Sequence, residues 1–295
     1  MGTVITEPGV YQLDDAEYHA DPVPGGSLSA SGAKLLLPPS CPARFHHYRT
    51  HGRPPKREFD LGHAAHLQVL GAGPELAVVD APDWRTKAAR EARDQAYAAG
   101  RVPLLAGQHQ QVTDMAAALR RHPIAGELLD PGRMVAEQSL FWIDDEGQAA
   151  TPVWRRARID ALSRPGDIGA LVVDYKTCRS ADVEHISRAM WLYGYAMQAA
   201  WYLDAATATG LIHAGLARFL FVFQEIDPPY VVSVIEPDAT ALRIGAERNR
   251  EAIETYRMCV ESGQWPGHVP DDAIPTIPLP AWAERQYAEP EELIL

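Results

Sequence analysis

The chain has 295 residues, 46% of them hydrophobic and 22% charged, with a formal net charge of −12. That balance excludes extensive disorder, because enough apolar surface is present to build a core. It also lacks any apolar run long enough to span a bilayer, so no membrane partner is expected.

Residues 1–27, rich in Pro, Gly and Asp, read as an irregular segment. The spacing then predicts a helix over 28–37, with Ser29 or Ser31 as N-cap and Pro38-Pro39 as its stop. A short helix over 42–49 follows, then a largely buried one over 59–70 that Gly71 ends. Ala-rich residues 85–99 predict a solvent-facing helix, and further helices fall over 107–121 and 124–129. The texture changes at Gly132. Residues 134–143, 152–162 and 170–177 carry β-branched and aromatic side chains in strand-length runs, with turns at 144–147 and 165–167. A long helix over 183–208, bent near Gly194, precedes strands over 216–224 and 230–235 and a last helix over 238–262. Residues 263–295 hold six prolines and read as an extended tail whose acidic end, 289–295, could dock a partner or be disordered. The order implies an α/β fold with a helical N-terminal half, built as a single domain over 28–262 between the irregular segment and the tail.

Charge is distributed unevenly. The 36 residues between Asp21 and Glu58 contain no acid and carry Lys34, Arg44, Arg49, Arg53, Lys56 and Arg57 with three histidines. That segment is either a local anion-binding surface on an acidic body or a solvated basic loop. Residues 1–8 have neither the basic nor the apolar region of a secretory signal, and Cys41, Cys178 and Cys259 form no CxxC pair. A cytoplasmic protein without a disulfide framework or an iron–sulfur cluster is expected. P-loop, dinucleotide-binding, zinc-protease and nucleophile-elbow motifs are absent from the sequence.

Chemistry concentrates on the second and third predicted strands. Asp174 and Lys176 in VVDYKT share one strand face, while Val173 and Tyr175 face the other way. An acid and a base on an apolar strand are either a structural ion pair or part of a site. Asp160 ends the preceding strand, and a hairpin through 165–167 brings it toward Asp174. Converging carboxylates repel unless a cation such as Mg²⁺ or Mn²⁺ joins them, and an adjacent lysine then offsets charge on a phosphate. Arg158 is in phase with Asp160 and could track phosphate. Gln198 and Tyr202 lie one helical turn apart on the long helix.

Asp160 followed by Asp174-Tyr175-Lys176 resembles the D…(D/E)xK core of the PD-(D/E)XK nuclease superfamily. The QxxxY of Gln198 and Tyr202 is similar to that of RecB- and RecE-type exonucleases, and Gly62 to His66 resembles their GxxxH helix. Together with Leu28-Ser29-Ala30-Ser31, the pattern spans about residues 18–224 and looks most like the phage-type exodeoxyribonuclease VIII (RecE-like) family.

The resemblance implies a restriction-endonuclease-like core, a central mixed sheet flanked by helices. It implies Asp160, Asp174, His66 and the Tyr175 carbonyl as metal ligands, with His63 the weaker histidine candidate. Lys176 would position the attacking water, and Gln198 and Tyr202 would hold the site or the DNA. Ser31 and Arg44 would hold phosphate, and Glu137 would be an additional acidic member. The expected function is a Mg²⁺- or Mn²⁺-dependent exonuclease. It would act on linear double-stranded DNA from the 5′ end, leaving 3′ single strands for a recombination annealing protein in a phage or prophage setting, with ring oligomers implied by the same resemblance. A structure-specific or single-strand nuclease, and a non-catalytic nucleic-acid-binding or assembly protein, remain open on the same fold.

Overall fold

A computed structural model describes residues 3–52, 60–144, 151–163, 170–213, 215–269 and 272–287. Residues 145–147 of the turn expected at 144–147, the turn expected at 165–167, the cations Arg53, Lys56 and Arg57, and the acidic end 289–295 lie outside the described residues.

The N-terminal half runs β1 (Gly9–Tyr11), α1 (Asp15–His19), β2 (Leu28–Ser29), α2 (Ala30–Leu36), α3 (Pro42–His51), α4 (Asp60–Leu70), β3 (Leu76–Val79), α5 (Lys87–Ala98), β4 (Val102–Leu105), α6 (Ala106–Arg121) and α7 (Ala125–Leu128). Three strands follow, β5 (Met134–Asp144), β6 (Val153–Ser163) and β7 (Ala170–Cys178). The chain continues through α8 (Val183–Leu192), α9 (Tyr195–Ala208), β8 (Ala217–Glu225), β9 (Val232–Ile235), α10 (Ala239–Ser262) and α11 (Ala281–Tyr287).

The central sheet has the order β1-β5-β6-β7-β8-β9, mostly antiparallel, with β2 paired to β6. Strands β7 and β8 are parallel, so the chain must cross over between them, and α8 and α9 form that crossover. Alternation on β8 shows how the two faces are filled. Phe219, Phe221 and Phe223 pack beneath α2, α9 and α10, whereas Leu220 and Val222 pack beneath α4 and α6. Helices on both faces of a mixed sheet therefore leave little of the central strands in water.

Helices α9 and α10 touch backbone to backbone at Gly245, where a Cβ would lie 2.1 Å from the Ala196 carbonyl oxygen. Between α8 and α9, Gly194 adopts φ +62°, which costs glycine little and breaks the expected long helix in two.

Three expectations are corrected, and the choice between Ser29 and Ser31 is settled. Residues 1–27 are not irregular throughout. Asp14 and Glu17 form a reciprocal capping box that starts α1, and β1 pairs with β5 as an edge strand. Three half-exposed residues leave no alternation to read. Ser29, not Ser31, caps α2, accepting from Gly32 N at 3.1 Å. The predominantly helical half also contains β3 and β4, a separate parallel pair. The Pro-rich tail carries the short helix α11. No helix among the described residues is long and apolar enough to cross a membrane.

Candidate functional site

Strands β6 and β7 pair at Ala161↔Val173 and Leu162↔Val172. Continuing that register would set Asp160 opposite Asp174, and there the ladder gives way. Asp160 Oδ2 instead accepts from Tyr175 N at 2.9 Å, so a carboxylate replaces the main-chain acceptor. On the other side of β6, Glu137 lies between the pairs Ala136↔Ala161 and Gln138↔Ile159 with φ +54°. The sense of both strands changes at this level. Met134, Ala136 and Ala161 pack toward α4 and α6, while Leu140, Trp142, Ala157 and Ile159 pack toward α2 and α9. A non-glycine residue at such φ costs on the order of 1–3 kcal/mol and is tolerated where surrounding contacts enforce it.

Helix α4 brings His66 onto this irregularity. Its Nε2 is 2.9 Å from the Tyr175 carbonyl oxygen and 3.3 Å from Asp160 Oδ2, and its Nδ1 is 3.9 Å from Glu137 Oε1. One ligand atom from each of His66, Glu137 and Asp160 falls within 4.8 Å of the others. Burial opposes charge on the His66 ring, but Asp160 and Glu137 outweigh it and raise its pKa to about 9. Burial, reinforced by the negative charge of Asp174, raises the Asp160 carboxyl to about 7, against the pull of His66 and Lys176. An imidazole, two crowded carboxylates and a carbonyl form a donor set that suits a hard or borderline divalent cation.

Asp174 is fully buried on β7. Its Oδ1 accepts from Gln198 Nε2 at 2.6 Å, and its Oδ2 lies 2.5 Å from Lys176 Nζ. That second approach is an ion pair without hydrogen-bond geometry. Burial disfavours the Lys176 ammonium, but Asp174 and Asp160 together raise its pKa, and it stays charged. Tyr202 follows Gln198 one turn along α9. Burial and the Asp174 charge hold the Tyr202 hydroxyl well above its ordinary pKa, so it remains a neutral group.

The structure thus gathers His66, Glu137, Asp160, Asp174, Tyr175, Lys176, Gln198 and Tyr202 in one place. The other sequence candidates sit differently, and His63 is exposed on α4 while His66 joins the donor cluster. Arg158 is ion-paired with Glu137 and lies 3.6 Å from Asp15, so its charge is spent orienting Glu137. Ser31 is exposed on α2 and 3.1 Å from the Ser29 hydroxyl. Arg44 is exposed on α3.

Sequence reasoning missed three contributors. Lys34, partly buried on α2, and Lys176 both approach the Tyr195 ring, at 5.7 and 5.6 Å from its centroid. Burial, then the nearby Lys176, lowers the Lys34 pKa to about 7, with Asp174 opposing. A lone lysine among the apolar residues of ASGAKLLL was the available signal. Gln224, fully buried on β8, accepts from the Tyr175 hydroxyl at 2.7 Å and donates to the Met115 carbonyl at 2.8 Å. A glutamine closing the aromatic run FLFVFQ marks a buried polar relay in the same way.

The family model of the PD-(D/E)XK nuclease superfamily matches residues 27–266. No curated protein matches the sequence. Among solved structures, a protein from Eubacterium rectale named "putative exonuclease" superposes with a TM-score of 0.58 at 11% identity, covering 93% of this chain and 98% of its own. At that identity the likeness shows the fold. A second structure, named SSO0001, aligns over 68% of this chain and 85% of its own at 17% identity, and its TM-score of 0.30 carries no argument.

Proposed function

This chain belongs to the PD-(D/E)XK nuclease superfamily, and from that premise we propose that it is a divalent-metal-dependent exonuclease acting on linear double-stranded DNA. The observation that carries the reading is the His66–Glu137–Asp160 donor cluster bordering the buried Asp174–Lys176 pair. Digestion from the 5′ end, a supply of 3′ single strands to an annealing protein, and ring assembly rest on the resemblance of the GxxxH and QxxxY motifs.

His66, Glu137, Asp160 and the Tyr175 carbonyl would hold Mg²⁺ or Mn²⁺, with Asp174 the further carboxylate. Such an ion supplies Lewis acidity toward the scissile phosphate. The chain's own residues do the remaining work. Lys176 donates a hydrogen bond that holds the attacking water and offsets negative charge developing on the phosphate. Asp174 keeps that ammonium charged and aimed. Gln198 fixes Asp174, and Arg158 fixes Glu137.

The test is digestion of linear and covalently closed duplexes, labelled at 5′ or 3′ ends, with Mg²⁺, Mn²⁺ or EDTA. Metal-dependent loss of linear DNA from the 5′ label, reduced at least about 100-fold by Lys176→Ala, is expected. Cleavage of closed circles would replace the exonuclease with an endonuclease. No cleavage of any duplex or single strand with either metal would leave a nucleic-acid-binding module on the same fold.

A further inference from the structure

Two of the three side chains in the donor cluster rest on one residue, Tyr175. Its N–H donates to Asp160 Oδ2 at 2.9 Å, and its carbonyl oxygen lies 2.9 Å from His66 Nε2. Its ring is 5.3 Å from the His66 ring between centroids. The alternation that turns Asp174 and Lys176 to one face of β7 turns the Tyr175 side chain to the other, into the core beneath α4 and α6. There its hydroxyl donates to Gln224 Oε1 at 2.7 Å, and Gln224 Nε2 donates to the Met115 carbonyl of α6 at 2.8 Å. Both side chains are fully buried.

Helix α6 is tied down twice more. Gln111 Nε2 donates to the Ile226 carbonyl just past β8 at 2.7 Å, and Arg120 donates to the Gln68 carbonyl of α4 at 2.9 Å. Ala65 and Val69 of α4 share one core cluster with Met115 and Ala116 of α6. The position of α6 therefore bears on that of α4, and with it on His66. Through Gln224, the strand that carries Tyr175 and the helices that carry His66 share one hydrogen-bonded link.

Stability alone does not account for this link. A buried phenol and amide gain little net from their mutual hydrogen bond once desolvation is counted, and a Phe–Leu pair would fill similar space without that cost. What the polar pair adds is a defined position, because a satisfied buried network admits one arrangement where apolar contacts tolerate sliding.

We propose that Gln224 is a positioning residue of the metal centre. Acting through the Tyr175 hydroxyl, it sets the Tyr175 peptide, whose two polar groups place Asp160 and His66. This deepens the nuclease reading and rests on it, since it puts a determinant of metal affinity inside the core rather than among the ligands.

The experiment measures Mn²⁺ affinity of the DNA-free full chain by isothermal titration calorimetry, beside the melting temperature. Gln224→Leu and Tyr175→Phe each leave a buried partner unsatisfied. Each is expected to lower the melting temperature and to weaken Mn²⁺ binding about tenfold. Tyr175→Phe/Gln224→Leu removes both polar ends, so its melting temperature should return toward that of the wild type while Mn²⁺ binding stays about tenfold weaker. Leu104→Ala, a cavity in the same core cluster but outside the link, should lower the melting temperature with Mn²⁺ affinity unchanged.

Wild-type Mn²⁺ affinity in the double variant would overturn the proposal. So would an equal loss of affinity in Leu104→Ala, because affinity would then merely follow stability. Failure of the nuclease reading looks different: a wild-type chain that binds no Mn²⁺ would remove that reading and the proposal together, whereas equal binding by wild type and double variant removes the proposal alone.

Discussion

Asp174 accepts from Gln198 on one oxygen and faces Lys176 with the other, at a position with no access to water. An acid so placed is held by its donors, and the cost of losing one is set by desolvation more than by the bond itself. Gln198→Leu is therefore expected to destabilise the chain by about 1–3 kcal/mol in urea titration and to lower cleavage at least tenfold. Unchanged stability would mean that Asp174 does not depend on Gln198. Lys34 has the opposite character. Burial sets its folded pKa near 7, below its ordinary 10.5, so the folded state binds fewer protons than the unfolded one between those values. The penalty is full below about pH 7 and is relieved as pH rises toward 10.5. Lys34→Met should thus raise the melting temperature most at about pH 6–7, with the gap closing toward pH 10. A gap that stays constant across this range would show that the charge on Lys34 is not the cause.

Among the elements, the decisive feature is how β6 and β7 separate at Asp160 and Asp174 while Glu137 turns the backbone of β5 at the same level. The strands were legible because alternation and β-branching report burial locally, and Asp174 and Lys176 were legible because period two puts them on one face. Glu137 gave no such signal, since its positive φ depends on the pairing of two other strands and on Arg158. Helix α9 carries Gln198 and Tyr202, and its position is set by the close approach of α10 at Gly245. Gly245→Ala should push these helices apart, at a cost of about 1–3 kcal/mol in a denaturant titration, and should lower cleavage through displacement of Gln198. Full stability in this variant would show that the two helices can slide without loss.

At the scale of the molecule, the C-terminal segment divides into a packed part and an exposed part. Trp265 stacks on His46 at 4.8 Å and on Phe45 at 5.6 Å and meets Tyr256 at 6.0 Å, fastening α3 to α10. Residues 272–287 are almost all exposed. A chain ending at Val269 is expected to keep the melting temperature of the full chain, whereas one ending at Ser262 should lose about 1–3 kcal/mol with the indole. Equal melting temperatures for the two truncations would remove the structural role of Trp265. The whole −12 charge, by contrast, says little about the site, because its cations are arranged locally around Tyr195 and Trp191.

Periodicity and short-range spacing alone determined the order of the main helices and central strands, the shared face of Asp174 and Lys176, and the helical turn joining Gln198 to Tyr202. These are properties of neighbouring residues, which the backbone geometry of a strand or helix already relates. Only the tertiary structure decided that His66, Glu137 and Asp160 form one donor cluster, that Arg158 serves Glu137, and that Lys34 reaches the ring beside Lys176. It also left Arg44 exposed on α3. Those relations join α2, α4, β5, β6, β7 and α9, and packing of two apolar cores on opposite sheet faces sets them, which no local pattern encodes.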